Sequence, residues 1–336
     1  MTRLHLAMAW AQAHRWVWSA VGLIVVWIVL SIVTNRFSVA SLSGILLSAS
    51  FLSIVGLGQM FVVTTGRGNI DLSIASVITL NAYVALLTIR GLDSNLPIGI
   101  PVALGIGLAI GATNALLVVA LRIPSIIATL ATGYVLATAT LLSNRQIPGF
   151  ATSPLLRAIA AGRWNGIPVM AMIAVLVVLV AAFVLRYTAY GRWLSAVGQN
   201  RVAARLAGVR VGAVIASAFI VSSTLASLVG VLLGAYVGGA FLEMGQPYLL
   251  QTIAAVVVGG TLIFGGSASA LGTLIASILL ILIVTTMQVM SLPPGTQDVV
   301  QGVVVIVVLG LAGRELAQRR NLREPKIPAA LAAKDA

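Results

Sequence analysis

The chain has 336 residues, of which 60% are hydrophobic and only 8% charged, with a mean hydropathy of +1.10. Soluble domains carry roughly 25% charged residues, so a soluble globular fold is excluded and lipid is the solvent for most of this chain. The net charge of +13 sits at chain ends and in short polar breaks, without the basic stripe and interleaved aromatics of a nucleic-acid face.

Cysteine is absent, which removes a disulfide framework, a thiolate nucleophile and a thiolate-held metal. His5 and His14 are the only histidines, and both precede the first apolar run. No His-based metal or acid–base site can therefore lie between the spans, and no cofactor or catalytic residue is expected.

Taken in order, residues 16–34 form an apolar run too long for a signal-peptide core, with no small-residue cleavage site after it, and read as a retained first span. Residues 42–65 are the second span, and 74–89 the third. Residues 98–121, 125–142 and 167–185 give the fourth to sixth. The segment 144–165 is a polar connection. After a basic island at 186–211, the seventh to tenth spans fall at 213–236, 248–264, 271–290 and 299–311. The reading is an all-α polytopic membrane protein of about ten transmembrane helices, with residues 1–313 as one transmembrane domain and 314–336 as a charged cytoplasmic tail.

Cytoplasmic loops are richer in Lys and Arg. An inward N-terminus places Arg3, Arg15, Arg67, Arg122, the island and the basic tail inside. It leaves Arg36, Arg90, Arg145, Arg157 and Arg163 outside, so both termini are predicted to be cytoplasmic.

Gly66-Arg-Gly-Asn-Ile-Asp-Leu-Ser73 interrupts the apolar pattern between the second and third spans. A phosphate loop needs a nearby lysine, and the only lysines are Lys326 and Lys334 in the tail. Any ATP must therefore be hydrolysed by another chain. Gly66 and Gly68 permit a tight backbone, and Asn69, Asp71 or Ser73 can cap the helix that follows. Asp71 reads either as a capping carboxylate at the membrane edge or as a gating or solute-handling group. Gly265-Gly-Ser-Ala-Ser269 resembles a related break in the second half.

Asp71, Asp93, Glu243 and Asp298 fall at or near span ends, and no buried carboxylate pair is visible. A pathway without charges suits a neutral polar solute. Gln59, Asn81, Asn114, Gln251 and Gln288 are the amides within the spans, able either to line it or to hydrogen-bond helix to helix.

The island gathers Arg186, Arg192, Arg201, Arg205 and Arg210 around Gln199 and Asn200. Residues 191–197 can form one helix, with Gly198 suited to its left-handed C-terminal position. Asn200 suits the N-cap of a second helix over 201–207, which Gly208 ends. Val202 and Leu206 share a face there, as do Arg201 and Arg205. Ala203, Ala204 and Ala207 add a small-residue surface. Arg201 sits in a first turn, where the macrodipole disfavours a cation, which points to a role outside its own helix. Spacing alone leaves two readings open: a topogenic basic loop and a surface for a docking partner.

Three stretches together resemble the permease subunits of bacterial ABC importers for ribose and related monosaccharides. They are Thr65-Gly-Arg-Gly-Asn-Ile-Asp-Leu-Ser73, the run from Tyr190 through Gly-Arg-Trp-Leu-Ser-Ala-Val-Gly-Gln-Asn-Arg-Val-Ala-Ala-Arg-Leu-Ala-Gly to Val209, and Ile253-Ala-Ala-Val-Val-Val-Gly-Gly-Thr261 followed by Gly265-Gly and Leu271-Gly-Thr273. The resemblance implies that the island, between spans six and seven, is a coupling loop for a cytoplasmic ATP-binding cassette subunit. Gly191, Ala196, Gly198, Asn200, Ala203, Ala204 and Gly208 carry that motif, with Arg192 and Arg205 in the same loop. It further implies a periplasmic solute-binding protein, a second permease chain, identical or different, and a bacterial inner-membrane location. Asn69 is an insertion relative to the family's signature, and Ile74-Ala75 replaces its Val-Gly. The expected solute is a monosaccharide or similar neutral polar molecule. The alternatives are nucleosides, autoinducer-type sugars or branched-chain amino acids on the same kind of system, or a stand-alone secondary carrier.

Overall fold

The computed structural model describes residues 16–34, 39–146 and 151–293, with positions 295–297, 299–300, 302–303 and 306 beyond them. Most of the expected tenth span, the tail from 314, Arg3, His5, His14, Arg15, Arg36 and Asp298 lie outside the described residues.

The described chain is almost entirely helical. In order it runs α1 (Trp16–Thr34), α2 (Val39–Thr64), α3 (Ile74–Ile89), α4 (Leu96–Ala115, prolonged by a π turn Leu116–Ala120), α5 (Ser125–Asn144) and α6 (Pro154–Ala161). A two-stranded hairpin, β1 (Arg163–Trp164) and β2 (Ile167–Pro168), follows. Then come α7 (Val169–Tyr187), α8 (Ala189–Gln199), α9 (Arg201–Leu206), α10 (Val211–Val237), α11 (Gln246–Val258) and α12 (Ala270–Val289). Among the described residues six helical stretches are long and apolar enough to cross a membrane: Leu42–Thr64, Asp93–Ala120, Ser125–Asn144, Val169–Tyr187, Val211–Val237 and Ala270–Val289. Ser19–Ile32, α3 and α11 are apolar but shorter.

Burial ranks these helices. The α2 span is 89% buried and the α10 span 61%, whereas Val169–Tyr187 is 22% buried. So α2 and α10 form the axis, and α5 and α7 turn apolar side chains such as Leu130, Val135, Leu176 and Phe183 outward, as lipid-facing helices do. Small residues let backbones meet at the axis. A Cβ on Gly111 of α4 would lie 2.5 Å from Ile220 Cα of α10, and one on Gly230 of α10 would lie 2.3 Å from Ile78 O of α3.

The two ends of α2 fix the two ends of the bundle. Near its start Ser43 Oγ donates to Gly166 O (3.1 Å), in the hairpin turn. At its finish Thr64 O accepts from Gly266 N (3.0 Å). The first end also gathers Asp93, which accepts from Ser153 Oγ and from Leu155 N at the start of α6.

Two expectations change here. The polar connection at 144–165 contains α6, started by Ser153 and Pro154, and leads into the hairpin. The hairpin turns on Asn165 and Gly166, both at positive φ (49° and 82°), as a type I′ turn requires. The eighth span stops six residues early, at Val258, rather than running to 264. Gly259 must admit the backbone of α12, since a Cβ there would lie 2.6 Å from Gly272 C, and Gly260 takes φ +91°. The apolar Leu262-Ile-Phe264 that follows is loop, and hydropathy alone reads it as helix.

Candidate functional site

The polar break after α2 does not stay at the surface. Gly66, Arg67 and Gly68 all adopt positive φ (74°, 59° and 71°), and the chain then runs back into the bundle before α3 begins. Non-helical backbone inside a membrane protein needs its N–H groups satisfied by other parts of the chain. From Ile70 to Ser73 each N–H has its own side-chain acceptor. Ile70 N donates to Ser125 Oγ (3.3 Å), Asp71 N to Gln59 Oε1 (3.2 Å), Leu72 N to Thr129 Oγ1 (2.9 Å) and Ser73 N to Asp71 Oδ1 (3.0 Å). Helices α2 and α5 thus supply polar groups at the positions where the break lacks helical partners.

Asp71 corrects the membrane-edge expectation. It is 1% exposed, and its Oδ2 accepts from Ser222 Oγ (2.8 Å) on α10. Its Oδ1 also accepts from Ser73 Oγ (2.6 Å), which in turn accepts from Asn114 Nδ2 (2.9 Å) on α4. Residues that follow a span in sequence need not follow it outward in space, because the left-handed turn at 66–68 sends this segment back inside. Ser73 is the N-cap residue of α3, yet its side chain makes no capping bond; Asp71 meets the Ser73 N–H instead.

Gln59, Asp71, Ser73 and Asn114 therefore belong to one buried network, while Asn69 is buried beside it and donates from Nδ2 to Thr65 Oγ1 (2.8 Å). Asn81 is buried further along α3, with Nδ2 bonded to Val77 O (3.0 Å). Gln251 is buried on α11. Gln288 lies exposed at the end of α12. Among the described residues Gln59 Nε2, Asn81 Oδ1, Asn114 Oδ1 and Ser223 Oγ are buried with no hydrogen-bond partner. The interior thus holds uncharged donors and acceptors with spare capacity, around a single carboxylate.

At the other end of the break, the island folds as two short helices. Helix α8 is amphipathic, burying Gly191, Leu194 and Val197 and exposing Arg192 and Trp193; Ala196 is half-buried. Gly191 is forced to be small, since a Cβ would lie 2.2 Å from Leu185 O. Asn200 caps α9 as its sequence predicts, with Oδ1 accepting from Val202 N (2.9 Å) and Ala203 N (3.1 Å). Gly208 ends it at φ +81°. Ala203 and Arg205 are exposed, and so are Val202 (61%) and Leu206 (85%). Ala204 faces inward at 4% exposure, so the expected small-residue surface is split between the two sides of α9.

Gly198 does not hold the left-handed cap. It lies within α8, which runs on to Gln199, and its smallness serves close approach. A Cβ there would sit 2.0 Å from Thr64 O and 2.2 Å from Gly266 N. Gly66 is hemmed in the same way, since a Cβ on it would lie 2.7 Å from Gly198 O and 2.8 Å from Phe264 O. Gln199 Nε2 donates to Gly266 O (3.3 Å), and Arg201 Nη2 donates to Thr65 O (3.3 Å) and Gly66 O (3.1 Å). The island, the first break and the Gly265–Gly266 loop of the second half meet backbone to backbone.

Residues 41–309 match the family described as branched-chain amino acid transport system, permease component, a stretch that takes in both breaks and the island. The chain belongs to this family of transport permeases. It is 31% identical over 312 residues to the ribose import permease protein RbsC of Escherichia coli K12, covering 91% of this chain and 95% of that one. It is 33% identical over 279 residues to the autoinducer 2 import system permease protein LsrC of Enterobacter sp. strain 638, covering 82% and 80%. To RbsC of Haemophilus influenzae it is 30% identical over 296 residues, covering 87% and 91%. No solved structure matches.

Within the permease, sequence reasoning missed the hydroxyls that hold the break: Ser125 and Thr129 on α5, and Ser222 on α10. The run Ser222-Ser-Thr224 in the middle of an apolar helix was the available signal, since hydroxyls there need a partner. Arg201 does find its role outside its own helix. Burial, and then the neighbouring Arg67, hold its guanidinium pKa below the ordinary value, so its placement is electrostatically costly and rests on the two carbonyls.

Proposed function

We propose that this permease forms the translocation path of an ATP-driven importer, and that the helix pair α8–α9 receives the force. The observation that carries the reading is the position of that pair. It presents exposed apolar Val202 and Leu206 outward, while its inner side is locked to both breaks through Gly198. A short helix with a greasy outer face and a backbone-tight inner face is suited to pass a push from a partner into the bundle.

The partner is a cytoplasmic ATP-binding cassette subunit, which hydrolyses the ATP. A periplasmic binding protein delivers the solute at the end that carries α6 and the hairpin. A second permease chain completes the path in the bacterial inner membrane. Ten crossings with both termini cytoplasmic fit this arrangement. The third consists of the extended segment 65–73 with α3, and the eighth of α11 with the segment to Gly266. Arg67, Arg122 and the island arginines then share the inner side.

The solute is a monosaccharide or a similar neutral polyol. Uncharged amides and hydroxyls with spare hydrogen-bonding capacity suit such a molecule, and the relatives named for ribose and autoinducer 2 import point the same way. A second reading, a proton-coupled carrier, draws on the buried Asp71 in a broken crossing. Three hydrogen-bond donors already occupy that carboxylate, which favours a structural role.

Leu206→Asp and Val202→Asp test the docking. Losing a buried apolar contact of this size weakens association by roughly tenfold to a hundredfold. The variants should reach the membrane at wild-type level, fail to retain the ATPase subunit on purification, and take up no solute. Wild-type retention and uptake would refute the docking role. Uptake that persists without the ATPase and stops with an ionophore would establish the carrier.

A further inference from the structure

Arg201 reaches across the molecule. Its guanidinium bonds the carbonyls of Thr65 and Gly66, the first residues beyond the C-terminus of α2. Thr65 and Gly66 lie at the negative end of the α2 dipole, and Gly66 O is shared between Asn69 N and Arg201, so a cation placed there is held by direction as well as by charge. One terminal nitrogen, Nη2, bonds both carbonyls, while the buried Nε has no partner; the planar guanidinium fixes the direction of those N–H groups, where an ammonium offers a rotating point charge. The same two residues begin the segment that runs through Asn69, itself bonded to the Thr65 hydroxyl, to Asp71 and its bond to Ser222.

From these contacts we propose that Arg201 is a strut tying α9 to the membrane break, so that a displacement of the α8–α9 pair moves residues 65–73 with it. Arg201 is a positioning residue for coupling, acting through the backbone of Thr65 and Gly66, and it touches neither solute nor nucleotide. The inference rests on the reading of α8–α9 as the element that receives the force. Gly198 supplies the other half of the grip: it sets the approach by close contact, and Arg201 supplies attraction in the opposite sense, when the helix pair is drawn outward. Contact alone can push, whereas a hydrogen bond can also pull. The strut therefore matters most for the return stroke, when the ATPase subunits separate.

The test uses the whole importer, with its ATPase subunit, binding protein and permease, reconstituted in proteoliposomes. Solute uptake and ATP hydrolysis are measured together for wild type, Arg201→Ala and Arg201→Lys. The strut predicts that the ATPase subunit still co-purifies with Arg201→Ala while the ATP consumed per solute rises by about tenfold, the scale of one charge-assisted hydrogen bond. Arg201→Lys, which can still reach one carbonyl, should recover part of the loss. Spin labels on Ala207→Cys and Arg67→Cys give a second readout that does not need transport. Their separation should stay fixed between nucleotide-bound and nucleotide-free states in the otherwise wild-type chain and vary between them when Arg201→Ala is added. Wild-type stoichiometry in Arg201→Ala, or a label separation indifferent to Arg201, would overturn the strut while leaving the docking of α8–α9 intact. Loss of ATPase co-purification in Arg201→Ala would also overturn it, by making Arg201 a docking residue. A wild-type permease that never retains an ATPase subunit would instead sink the underlying functional reading.

Discussion

Ser222, in the middle of the 27-residue helix α10, donates a 2.8 Å hydrogen bond to Asp71, 151 positions earlier in the chain. That contact ties α10 to the first break and explains why a carboxylate can lie at 1% exposure. Asp71→Ala removes the acceptor for Ser222 Oγ, Ser73 Oγ and Ser73 N. Each stranded buried donor costs about 1–3 kcal/mol, so the loss should reach roughly 3 kcal/mol or more. Asp71→Asn keeps acceptor oxygen on one side and should lose about half as much. Thermal unfolding in detergent should rank wild type above Asp71→Asn above Asp71→Ala. Equal stability of the two variants would show that the carboxylate's bonds do not hold the break.

Gly198 and Gly208 separate two reasons for a glycine. Gly198→Ala puts a Cβ against the Thr64 and Gly266 backbones at 2.0 and 2.2 Å. The helix pair must then stand off the breaks, and uptake should fall by at least about tenfold, as a displacement of even 1 Å can cost far more than its size suggests. Gly208 has open space around it and needs only its positive φ, so Gly208→Ala should cost about 1–2 kcal/mol locally and leave most uptake. Parallel uptake assays at matched membrane levels check the order.

Asn200→Ala removes the acceptor for two N–H groups of a six-residue helix. Loss of such a cap costs about 1 kcal/mol, and a helix this short has little else to resist fraying. Faster hydrogen exchange over 201–206 and reduced uptake, at unchanged membrane level, are the expected results. Ala204→Glu acts differently, because Ala204 is buried against the body of the permease. It should lift α9 from its seat, and so lower thermal stability, an effect Asn200→Ala should produce only weakly.

Asp93→Ala serves as a control at the far end. Asp93 accepts from Ser153 Oγ and Leu155 N at the start of α6. Hydrogen exchange across 153–161 should rise, while retention of the ATPase subunit stays at the wild-type level. A loss of ATPase retention would contradict the assignment of the two ends.

Much of the helical order was legible from apolar runs: α1 and α3 begin and end where hydropathy places them, and α12 differs by a single residue at each end. The cap at Asn200 and the stop at Gly208 were legible because capping chemistry is local. The depth of Asp71 was not, because hydropathy records which residues avoid water and says nothing of which way a left-handed turn at Gly66–Gly68 sends the chain. The early end of α11 was hidden by apolar Leu262-Ile-Phe264, and the reason for it, the close approach of Gly259 to Gly272, is tertiary. Gly198 looked like a cap for the same cause. Its requirement comes from Thr64 and Gly266, far away in sequence. The Asn165-Gly166 pair is a turn signal in the sequence, but a hairpin of two-residue strands has no apolar alternation to mark it within a polar connection.

The central claim is that α8–α9 lies on the cytoplasmic side and touches the energy-supplying partner. The chain has no cysteine, so Val202→Cys gives a single thiol against a silent background. A membrane-impermeant maleimide should leave it unlabelled in intact spheroplasts and label it in inverted vesicles, and a short bifunctional reagent should join it to the ATPase subunit. Labelling from the outside, or no cross-linked product in an importer that is otherwise active, would contradict the account.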